Sequence, residues 1–313
     1  MQEKIVVVMG GPSSEAEVSR RTGTAVLQAL KGKGYNVEGL EFVPETFIEQ
    51  IKQMDCGIVF NAMHGKYGED GVLQASLEML GIPFTGSNIL ASAVTFDKAV
   101  SKRLFLAEGI STPRSVTFQK FEQARNLVEE IQADFTLPVV IKAATQGSSI
   151  GVVIVSEAEQ IKLALQEAFK YSDEVVVEEF ISGKELTVAV AGNNKLAEAF
   201  PIIEITTVSG RYDYESKYTK GASSHIIPAR IPEATAEQVK RLAEKTFRVC
   251  GCAGIARIDI MLSEDNVPYV LEVNSVPGMT ETSLVPDAAR AKGIAFEELC
   301  EYILKLSGYP IKE

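Results

Sequence analysis

Residues 254–286 read GIARIDIMLSEDNVPYVLEVNSVPGMTETSLVP, and this stretch predicts a β-hairpin followed by a loop. Polar and apolar side chains alternate along both halves, as they do in strands with one buried face. Residues 263–266 supply the turn, and Val270 is expected to share a face with the polar residues of the returning strand. This register gathers four polar side chains on one side of the hairpin: Arg257, Asp259, Glu272 and Asn274.

The two carboxylates of this group need a positive partner. Like charges about 4 Å apart repel by about 4 kcal/mol at an effective dielectric constant of about 20. Arg257 offsets part of this repulsion. Two carboxylates and an amide oxygen are also hard ligands that Mg²⁺ accepts, with phosphate oxygens completing its octahedron. The hairpin by itself leaves two interpretations open, a magnesium site and a solvated acidic face.

The composition is that of a globular protein with a large core. With 313 residues and 46% hydrophobic content, the chain is expected to form two or three domains. Its net charge of −11 argues against a nucleic-acid partner. Two histidines argue against a zinc site, and four cysteines without metal-ligand spacing indicate a reducing compartment. With neither a signal peptide nor a membrane-length apolar run, we expect a cytoplasmic protein with no membrane partner.

The N-terminal segment predicts a strand, a glycine turn and a helix. The apolar run at 4–9 leads into GGPSSEAEVS, where Ser14 and Glu17 form an expected capping box for a helix ending near Leu30. Such a turn is an anion site in many folds, but the GxGxxG pattern is absent. Taken with this segment alone, Glu15 is better explained as a complement to the helix dipole than as a ligand-binding residue.

A second buried strand, at 57–62, runs into HGKYGEDG. Loops at the carboxyl ends of strands in open α/β sheets carry ligands, which makes His64 a candidate. Glu69 and Asp70 are expected to start a helix at 71–80. Because strands and helices alternate through residue 96, the sequence predicts a parallel sheet.

Beyond Asp97 the pattern changes to α+β, and we place a domain boundary there. Helices are predicted at 97–108 and 121–132, followed by two β-rich runs joined by the Gly-Ser loop at 146–151. With Lys142 on the preceding strand, this loop offers backbone N–H groups, hydroxyls and a positive charge to a phosphate. An ordinary hairpin loop has the same composition.

Two further strands at 174–192 carry Glu178, Glu179 and Glu185 among apolar residues. An apolar segment followed by a carboxylate fits an adenine and its ribose, and surface glutamates on an edge strand fit equally well. No GxxxxGK[ST] motif occurs, which excludes the P-loop fold. The polar stretch 209–230 has little periodicity, which predicts a lid over a charged substrate.

These stretches together resemble the ATP-grasp enzymes, and among them the D-alanine:D-alanine ligase family, from end to end. Eight motifs carry the resemblance in order: GGPSSEAEVS, HGKYGEDG, the Asp97-Lys98 pair, IKAATQGSSIG, VEEFISGKELTVAV, YDYESKY, GIARIDIM and LEVNSVPGMTETSLVP. Single motifs of this kind are not specific, whereas eight in the same order are. One departure is Ala143, where family members often have a proline.

The resemblance implies an α/β fold that becomes α+β in the C-terminal half. An N-terminal Rossmann-like substrate-binding domain at 1–97 would be followed by two ATP-clamping subdomains, at 98–187 and 188–313. The second of these would carry the metal site and the lid at 209–230.

The resemblance also implies roles for individual residues. Two Mg²⁺ ions, which Mn²⁺ can replace, would bind Asp259, Glu272 and Asn274. ATP would be bound by Lys98, Lys142, Ser149, Glu178, Phe180, Ile181 and Glu185. The catalytic groups would be Glu15, Ser148, Tyr218, Arg257, Gly278 and Ser283. Further substrate contacts would come from His64, Lys217 and Leu284.

The implied activity is the joining of two D-alanines at the expense of ATP, through an acyl phosphate, for peptidoglycan precursor synthesis. The family is usually homodimeric. Two alternatives stay open: a related ligase that takes D-lactate or D-serine as second substrate, and a catalytically silent ATP-binding regulatory protein. Lys217-Tyr218 stands where lactate-using relatives are expected to carry a histidine, which favours an amine as nucleophile.

Overall fold

The computed structural model of the chain describes residues 3–193, 195–207 and 223–310. Most of the stretch predicted to be a lid, including Lys217 and Tyr218, lies outside the described residues. The described chain forms three sheets, one parallel and two antiparallel, which agrees with the predicted change from α/β to α+β.

The N-terminal sheet is parallel, as predicted, with strand order β2-β1-β3. Its strands are β1 (Lys4–Gly10), β2 (Val37–Phe42) and β3 (Cys56–Asn61). Its helices are α1 (Ala16–Gly32), α2 (Phe47–Gln53), α3 (Val72–Met79) and α4 (Ile89–Phe96). Strand β2 was not predicted, because its exposed middle interrupts the apolar run that marks a buried parallel strand.

The expected capping box at the start of α1 is wrong. Glu15, not Ser14, is the N-cap residue, and no side chain caps the helix. The Ser14 hydroxyl instead accepts a hydrogen bond from Gln146 Nε2 at 3.2 Å, and the Glu15 backbone N–H donates to Ser13 Oγ. Tertiary contacts to a distant loop have replaced the local cap.

The middle sheet is antiparallel with strand order β4-β7-β5-β6. Its strands are β4 (Ser115–Gln119), β5 (Val139–Ala143), β6 (Val152–Val155) and β7 (Glu174–Glu179). Its helices are α5 (Lys98–Ala107), α6 (Leu127–Asp134) and α7 (Ala158–Ala168). Strand β7 lies inside the sheet, so the edge-strand interpretation of Glu178 is wrong.

The single helix predicted at 121–132 is also wrong. A 3₁₀ helix at Lys120–Ala124 is followed by α6, and Arg125 between them has extended backbone angles. Its guanidinium pairs with Glu122 at 2.6 Å and with Glu130. These ion pairs accompany the break between the two helical segments.

The C-terminal sheet has the order β11-β10-β8-β12-β13, with β9 paired to β8. Its strands are β8 (Gly183–Gly192), β9 (Ala197–Ala199), β10 (Ile203–Thr207), β11 (Ser223–Ile226), β12 (Gly254–Ser263) and β13 (Pro268–Asn274). Its helices are α8 (Glu233–Val249), α9 (Leu284–Ala291) and α10 (Phe296–Leu306). Because β8 pairs with β12 along its whole length, a division of the chain by sheets falls between β7 and β8. The domain limits expected from the resemblance stay a prediction.

The hairpin β12-β13 is confirmed, with one correction to its register. A bulge after Asp259 leaves Asp259 opposite Glu272 but moves Val270 opposite Ile260. Val270 and Ile260 are fully buried in the apolar core, so Val270 faces away from the polar group. The extra residue is Leu271, and a bulge of this kind breaks the two-residue period on which the prediction relied.

Two apolar cores cover opposite faces of the C-terminal sheet, and one of them joins it to the N-terminal sheet. Helix α8 packs its buried stripe, which includes Val239, Ala243 and Phe247, on the C-terminal sheet. A second cluster joins Val7 of β1, α1, the opposite face of the C-terminal sheet, and Leu304 of α10. The carboxyl ends of β1 and β3 are thereby held beside the end of the hairpin.

Candidate active site

The polar face of the hairpin forms a bonded group centred on Asp259. Arg257 donates to both of its carboxylate oxygens, from Nε at 2.9 Å and from Nη2 at 2.8 Å. Asn274 Nδ2 donates to Oδ2 at 3.1 Å, and Thr187 of β8 donates from its hydroxyl to Oδ1 at 2.6 Å. The bidentate ion pair between Arg257 and Asp259 is strong, and it fixes the plane of the guanidinium group. Thr187 was not identified from the sequence, because only the pairing of β8 with β12 brings it to Asp259.

Glu272, opposite Asp259, has a different cation. The Lys98 ammonium lies 3.2 Å from Glu272 Oε2 and donates to the Gln146 carbonyl oxygen at 2.7 Å. Lys98 is placed there because Asp97 caps α5, with Oδ1 accepting from the Val100 N–H at 3.0 Å. The repulsion predicted between the two carboxylates is therefore countered by one cation on each.

The donor set of this face fits a divalent cation. Asp259 and Glu272 face each other across two paired strands, with the Asn274 amide beside them. Among the described residues no three Asp, Glu, His or Cys side chains converge, so an ion here would need two carboxylates, an amide oxygen and outside ligands. Mg²⁺ accepts few protein ligands together with phosphate oxygens.

The loop between β5 and β6 reaches the start of α1. Ser148 and Ser149 both have left-handed backbone angles, with φ of 51° and 59°. Such strain in successive non-glycine residues is typical of functional loops. The Ser148 hydroxyl donates to Glu15 Oε1, and a Cβ on Gly147 would lie 2.4 Å from Glu15 Oε2. Gly147 therefore permits the approach of the loop to the Glu15 carboxylate.

His64 is a buried linker between three segments. Its Nδ1 lies 3.0 Å from the carbonyl oxygen of Val276, which can only accept, so Nδ1 carries the proton and donates. Its Nε2 lies 3.0 Å from the Thr22 hydroxyl and accepts a hydrogen bond from it. Burial lowers the pKa of His64, against the opposing charge of Glu15, which favours the neutral ring. Both ring nitrogens are therefore engaged within the protein.

Glu69 does not start α3, contrary to the prediction. Its Oε2 accepts from the Gly65 N–H at 2.8 Å, while Asp70 Oδ1 accepts from the first N–H of the helix. Burial raises the pKa of Glu69 well above its usual value, and the charge of Glu15 raises it further. The cleft thus contains one carboxylate whose neutral form is favoured beside another that accepts from Ser148.

The turn after β13 forms a compact polar corner. Ser283 Oγ accepts from the Thr280 N–H at 3.0 Å and lies 2.8 Å from the Thr280 hydroxyl. A Cβ on Gly278 would lie 3.0 Å from Ser283 Oγ, which is a tight contact. Leu284 begins α9, whose N-terminal N–H groups and dipole favour an anion.

Apart from Lys98 at the start of α5, the residues predicted to bind ATP lie on strands of the two antiparallel sheets or in the segments that join these strands. Lys142 of β5 lies 2.7 Å from Glu178 Oε2, and both side chains are buried. Phe180, 37% exposed, and Ile181 lie in the segment that joins β7 to β8. Glu185 follows on β8, and its charge acts on Lys142. The apolar segment predicted to seat adenine therefore lies at the junction of the two sheets.

One cleft brings most of the predicted substrate residues together. Its walls include Glu15, His64, Ser148, Arg257, Asn274, Gly278, Ser283 and Leu284. These residues come from the N-terminal part of the chain, the β5-β6 loop, the hairpin β12-β13 and the segment that follows it. Lys142 and Glu178 belong to the buried group described above, and Tyr218 and Lys217 lie outside the described residues.

Comparison with known proteins matches this arrangement to one family. A family model for the C-terminus of D-ala D-ala ligase matches residues 104–305, and the model for its N-terminus matches residues 39–87. A D-alanine--D-alanine ligase from Desulforamulus reducens is 49% identical over 311 residues, covering 98% of this chain and 99% of that protein. The chain belongs to the D-alanine:D-alanine ligase family.

Other members of the ligase family agree over the full length. A D-alanine--D-alanine ligase from Moorella thermoacetica is 46% identical, covering 98% of this chain and all of that protein. The crystal structure of a Bacillus anthracis ligase complexed with ATP has a TM-score of 0.84 at 33% identity, covering 97% of each chain. The ATP-grasp fold implied by the motifs is thereby confirmed.

A neighbouring ligase with another substrate has the same fold. The D-Ala:D-Ser ligase from Enterococcus faecalis has a TM-score of 0.82 at 30% identity, covering 98% of this chain and 100% of that one. The fold therefore does not decide the second substrate within the family. In the described part of the chain, no helix has the length and apolar content needed to cross a membrane.

Proposed function

We propose that the chain catalyses the ATP-dependent ligation of two D-alanines to D-alanyl-D-alanine. The observation that carries this proposal is the single cleft in which Glu15, Ser148, Arg257 and Ser283 meet beside Asp259 and Glu272. It offers an anion for an ammonium group, cations for a phosphoryl group and a polar corner for a carboxylate. Family membership supports the same reaction.

Glu15 binds the ammonium group of the first D-alanine. Its carboxylate is buried at the start of α1 and accepts from Ser148 Oγ, which leaves acceptor capacity toward the cleft. Ser148 connects this carboxylate to the loop expected over the phosphates, so that binding of the first substrate and of ATP order the same loop. Tyr218 is assigned to this network by the resemblance alone.

The first step transfers the γ-phosphoryl group to the carboxylate of the first D-alanine, giving an acyl phosphate and ADP. Both reactants are anions, so the step depends on neutralising charge in place. Lys98 and Lys142 hold the phosphates, Ser149 lies in the loop above them, and Arg257 faces the transferring group. Two Mg²⁺ ions, or Mn²⁺ in their place, held by Asp259, Glu272 and Asn274, would supply further positive charge at the phosphate oxygens.

In the second step the amine of the second D-alanine attacks the acyl carbon, and phosphate leaves. Negative charge develops on the carbonyl oxygen, and Arg257 with the Gly278 N–H stabilises it. One donor of this kind is worth about 3 kcal/mol. Ser283 and the Leu284 N–H fix the carboxylate of the second substrate at the start of α9. An acyl phosphate hydrolyses readily, so the stretch 209–230, including Lys217, is proposed to close over the cleft.

D-Serine is the second candidate for the acceptor substrate, because a D-Ala:D-Ser ligase shares the fold at 30% identity. D-Lactate would act through a hydroxyl, and the Lys217-Tyr218 pair that argues against it lies outside the described residues. A silent regulatory protein is disfavoured, since each assigned metal, phosphate and substrate position in the described chain holds a competent side chain. A cytoplasmic homodimer acting in peptidoglycan precursor synthesis completes the proposal.

The test is mass spectrometry of the products formed from ATP, Mg²⁺ and D-alanine, with D-serine, D-lactate and L-alanine in parallel. D-Alanyl-D-alanine with equal amounts of ADP and phosphate is expected, and chelation of the metal should abolish it. A depsipeptide or a mixed dipeptide as the main product would show instead that the protein is a ligase for D-lactate or D-serine as second substrate. ATP binding without any product would support the regulatory alternative.

A further inference from the structure

A buried triad of charged side chains contains Lys102, to which the reaction above assigns no role. Its centre is Glu178, which is 1% exposed and whose Oε2 lies 2.7 Å from the Lys142 ammonium. Glu178 Oε1 lies 3.2 Å from Nζ of Lys102, a residue of α5 that is 2% exposed. We call these three side chains the Glu178 triad.

Lys102 is fixed in place by its other contacts. Its ammonium donates to Thr112 Oγ1 at 2.6 Å and to the Pro113 carbonyl oxygen at 3.0 Å. The Thr112 hydroxyl in turn donates to the carbonyl oxygen of Val270 in β13, at 2.8 Å. The two neutral acceptors take two of the three protons of the ammonium, and its charge pairs with Glu178 at 3.2 Å without an aligned hydrogen bond. Lys102 is therefore anchored to the segment that follows α5 and, through Thr112, to β13.

Once ATP is bound, the Glu178 carboxylate and the phosphates compete for the Lys142 ammonium. It now faces Glu178, but in the proposed function it binds the phosphates. Burial alone would raise the pKa of Glu178, yet the charges of Lys142 and Lys102 reverse this and hold it below its usual value. The other charged groups that act on the two lysines, Glu179, Glu185 and Glu272, are all anionic. When Lys142 turns toward the phosphates, Lys102 is the cation left to balance Glu178.

Glu178 also has acceptor capacity to offer. Within the described residues, its buried Oε1 receives no aligned hydrogen bond, although the Lys102 ammonium is near. An ionised carboxylate accepts only, and the exocyclic 6-amino group of adenine is a donor. An ionised Glu178 can therefore recognise adenine, whereas a protonated Glu178 loses acceptor capacity.

We propose that Lys102 is a positioning residue of the nucleotide site, which keeps Glu178 ionised and oriented toward adenine while Lys142 serves the phosphates. The inference rests on the proposed function, since it requires ATP as a substrate. In this proposal Lys102 stays paired with Glu178, whereas Lys142 changes its partner from Glu178 to the phosphates.

The first experiment measures the binding of ATP and of purine riboside triphosphate, which lacks the 6-amino group, by titration calorimetry. Lys102→Met should weaken ATP binding about 10- to 100-fold, because it leaves a buried charge without its partner. Binding of the analogue should change much less, so that the preference for ATP declines. Lys245→Met is the matched control, since Lys245 also bonds backbone carbonyls, those of Glu108 and Gly109. It should leave both affinities unchanged.

A double-mutant cycle with Glu178→Gln separates positioning from a general structural effect. If Lys102 acts through the charge of Glu178, Lys102→Met should change ATP affinity less than about twofold in the Glu178→Gln background. The full loss in that background, or an unchanged ATP preference in the single variant, would overturn the inference. Should Lys102→Met not fold, Thr112→Val tests the same anchor and should reduce the ATP preference; an unchanged preference would overturn the inference equally. Failure of the unaltered protein to bind ATP would instead overturn the proposed function.

Discussion

Replacement of Arg257 by alanine tests the centre of the proposed mechanism. The guanidinium makes two charge-assisted hydrogen bonds to Asp259, and it faces the cleft in which both steps take place. Its removal takes away one cation that neutralises the transferring phosphoryl group in the first step. It also takes away one hydrogen-bond donor to the oxyanion in the second step. It leaves the proposed ATP contacts, Lys98, Lys142 and Glu178, in place. We therefore expect a loss in turnover without a loss in nucleotide binding.

The structure sets the size of the two effects. Loss of one oxyanion donor costs about 3 to 4 kcal/mol, which lowers kcat about 100- to 1,000-fold. Breaking a buried ion pair costs about 3 to 5 kcal/mol of folding free energy. The Arg257 and Asp259 side chains are 14% and 12% exposed, so the pair is not fully buried. In the variant, Asp259 would still accept hydrogen bonds from Thr187 and Asn274. We accordingly expect a stability loss of about 2 kcal/mol, smaller when Mg²⁺ binds at Asp259.

The assay combines ADP release under saturating D-alanine with calorimetric titration of ATP and with thermal melting, with and without Mg²⁺. Thr187→Val is the control, because it removes a neutral donor to Asp259 and leaves the cation; its kcat should decrease less than about tenfold. Equal losses of ATP affinity and turnover in Arg257→Ala, or retention of a tenth of the activity, would refute the reasoning.

Three further predictions concern the substrate pocket and the core. Glu15→Gln should raise KM for D-alanine about 10- to 100-fold with unchanged ATP affinity, because a charge-assisted hydrogen bond is lost; an unchanged KM would contradict the role. The pKa of Glu69 is higher in the folded state than in the unfolded state. Its contribution to stability is therefore fully present at pH values below the unfolded-state pKa and is lost as the pH rises through the folded-state pKa. Glu69→Gln should accordingly have a higher melting temperature than the unaltered protein at pH 8 but not at pH 4. A constant difference in melting temperature across this range would disprove it. Phe247→Ala should cost about 3 to 5 kcal/mol in denaturant unfolding, and Phe121→Ala, at an 83% exposed site, less than about 0.5 kcal/mol.

The local elements of the fold were largely predictable. Helix α8 and the hairpin β12-β13 were located from their periodicity, because each buries one face and exposes the other. Val270 shows the limit of this reasoning, since a one-residue bulge shifts the pairing of every residue beyond it. The cap of α1 shows another, because Ser14 contacts a residue 132 positions away and not its own helix.

Pairings between distant segments were not predictable from the pattern. Thr187 and Asp259 share a site because β8 pairs with β12, and Lys102 meets Glu178 because α5 packs on β7. Glu69 looked like an ordinary residue at a helix start, and its position in the cleft depends on the turn of the loop at Gly65. A single sequence carries no signal for such contacts, because no local period links the two partners.

The sequence by itself determined which side chains were available: two opposed carboxylates with an amide, a Gly-Ser loop, and lysines in an acidic chain. Its ordered motifs were sufficient to identify the family. Only the tertiary structure decided which cation balances each carboxylate, with Arg257 on Asp259, Lys98 on Glu272, and two lysines on Glu178. The reason is physical, since chemical type belongs to each residue, whereas the energy of a charge depends on distance and burial, which folding alone sets.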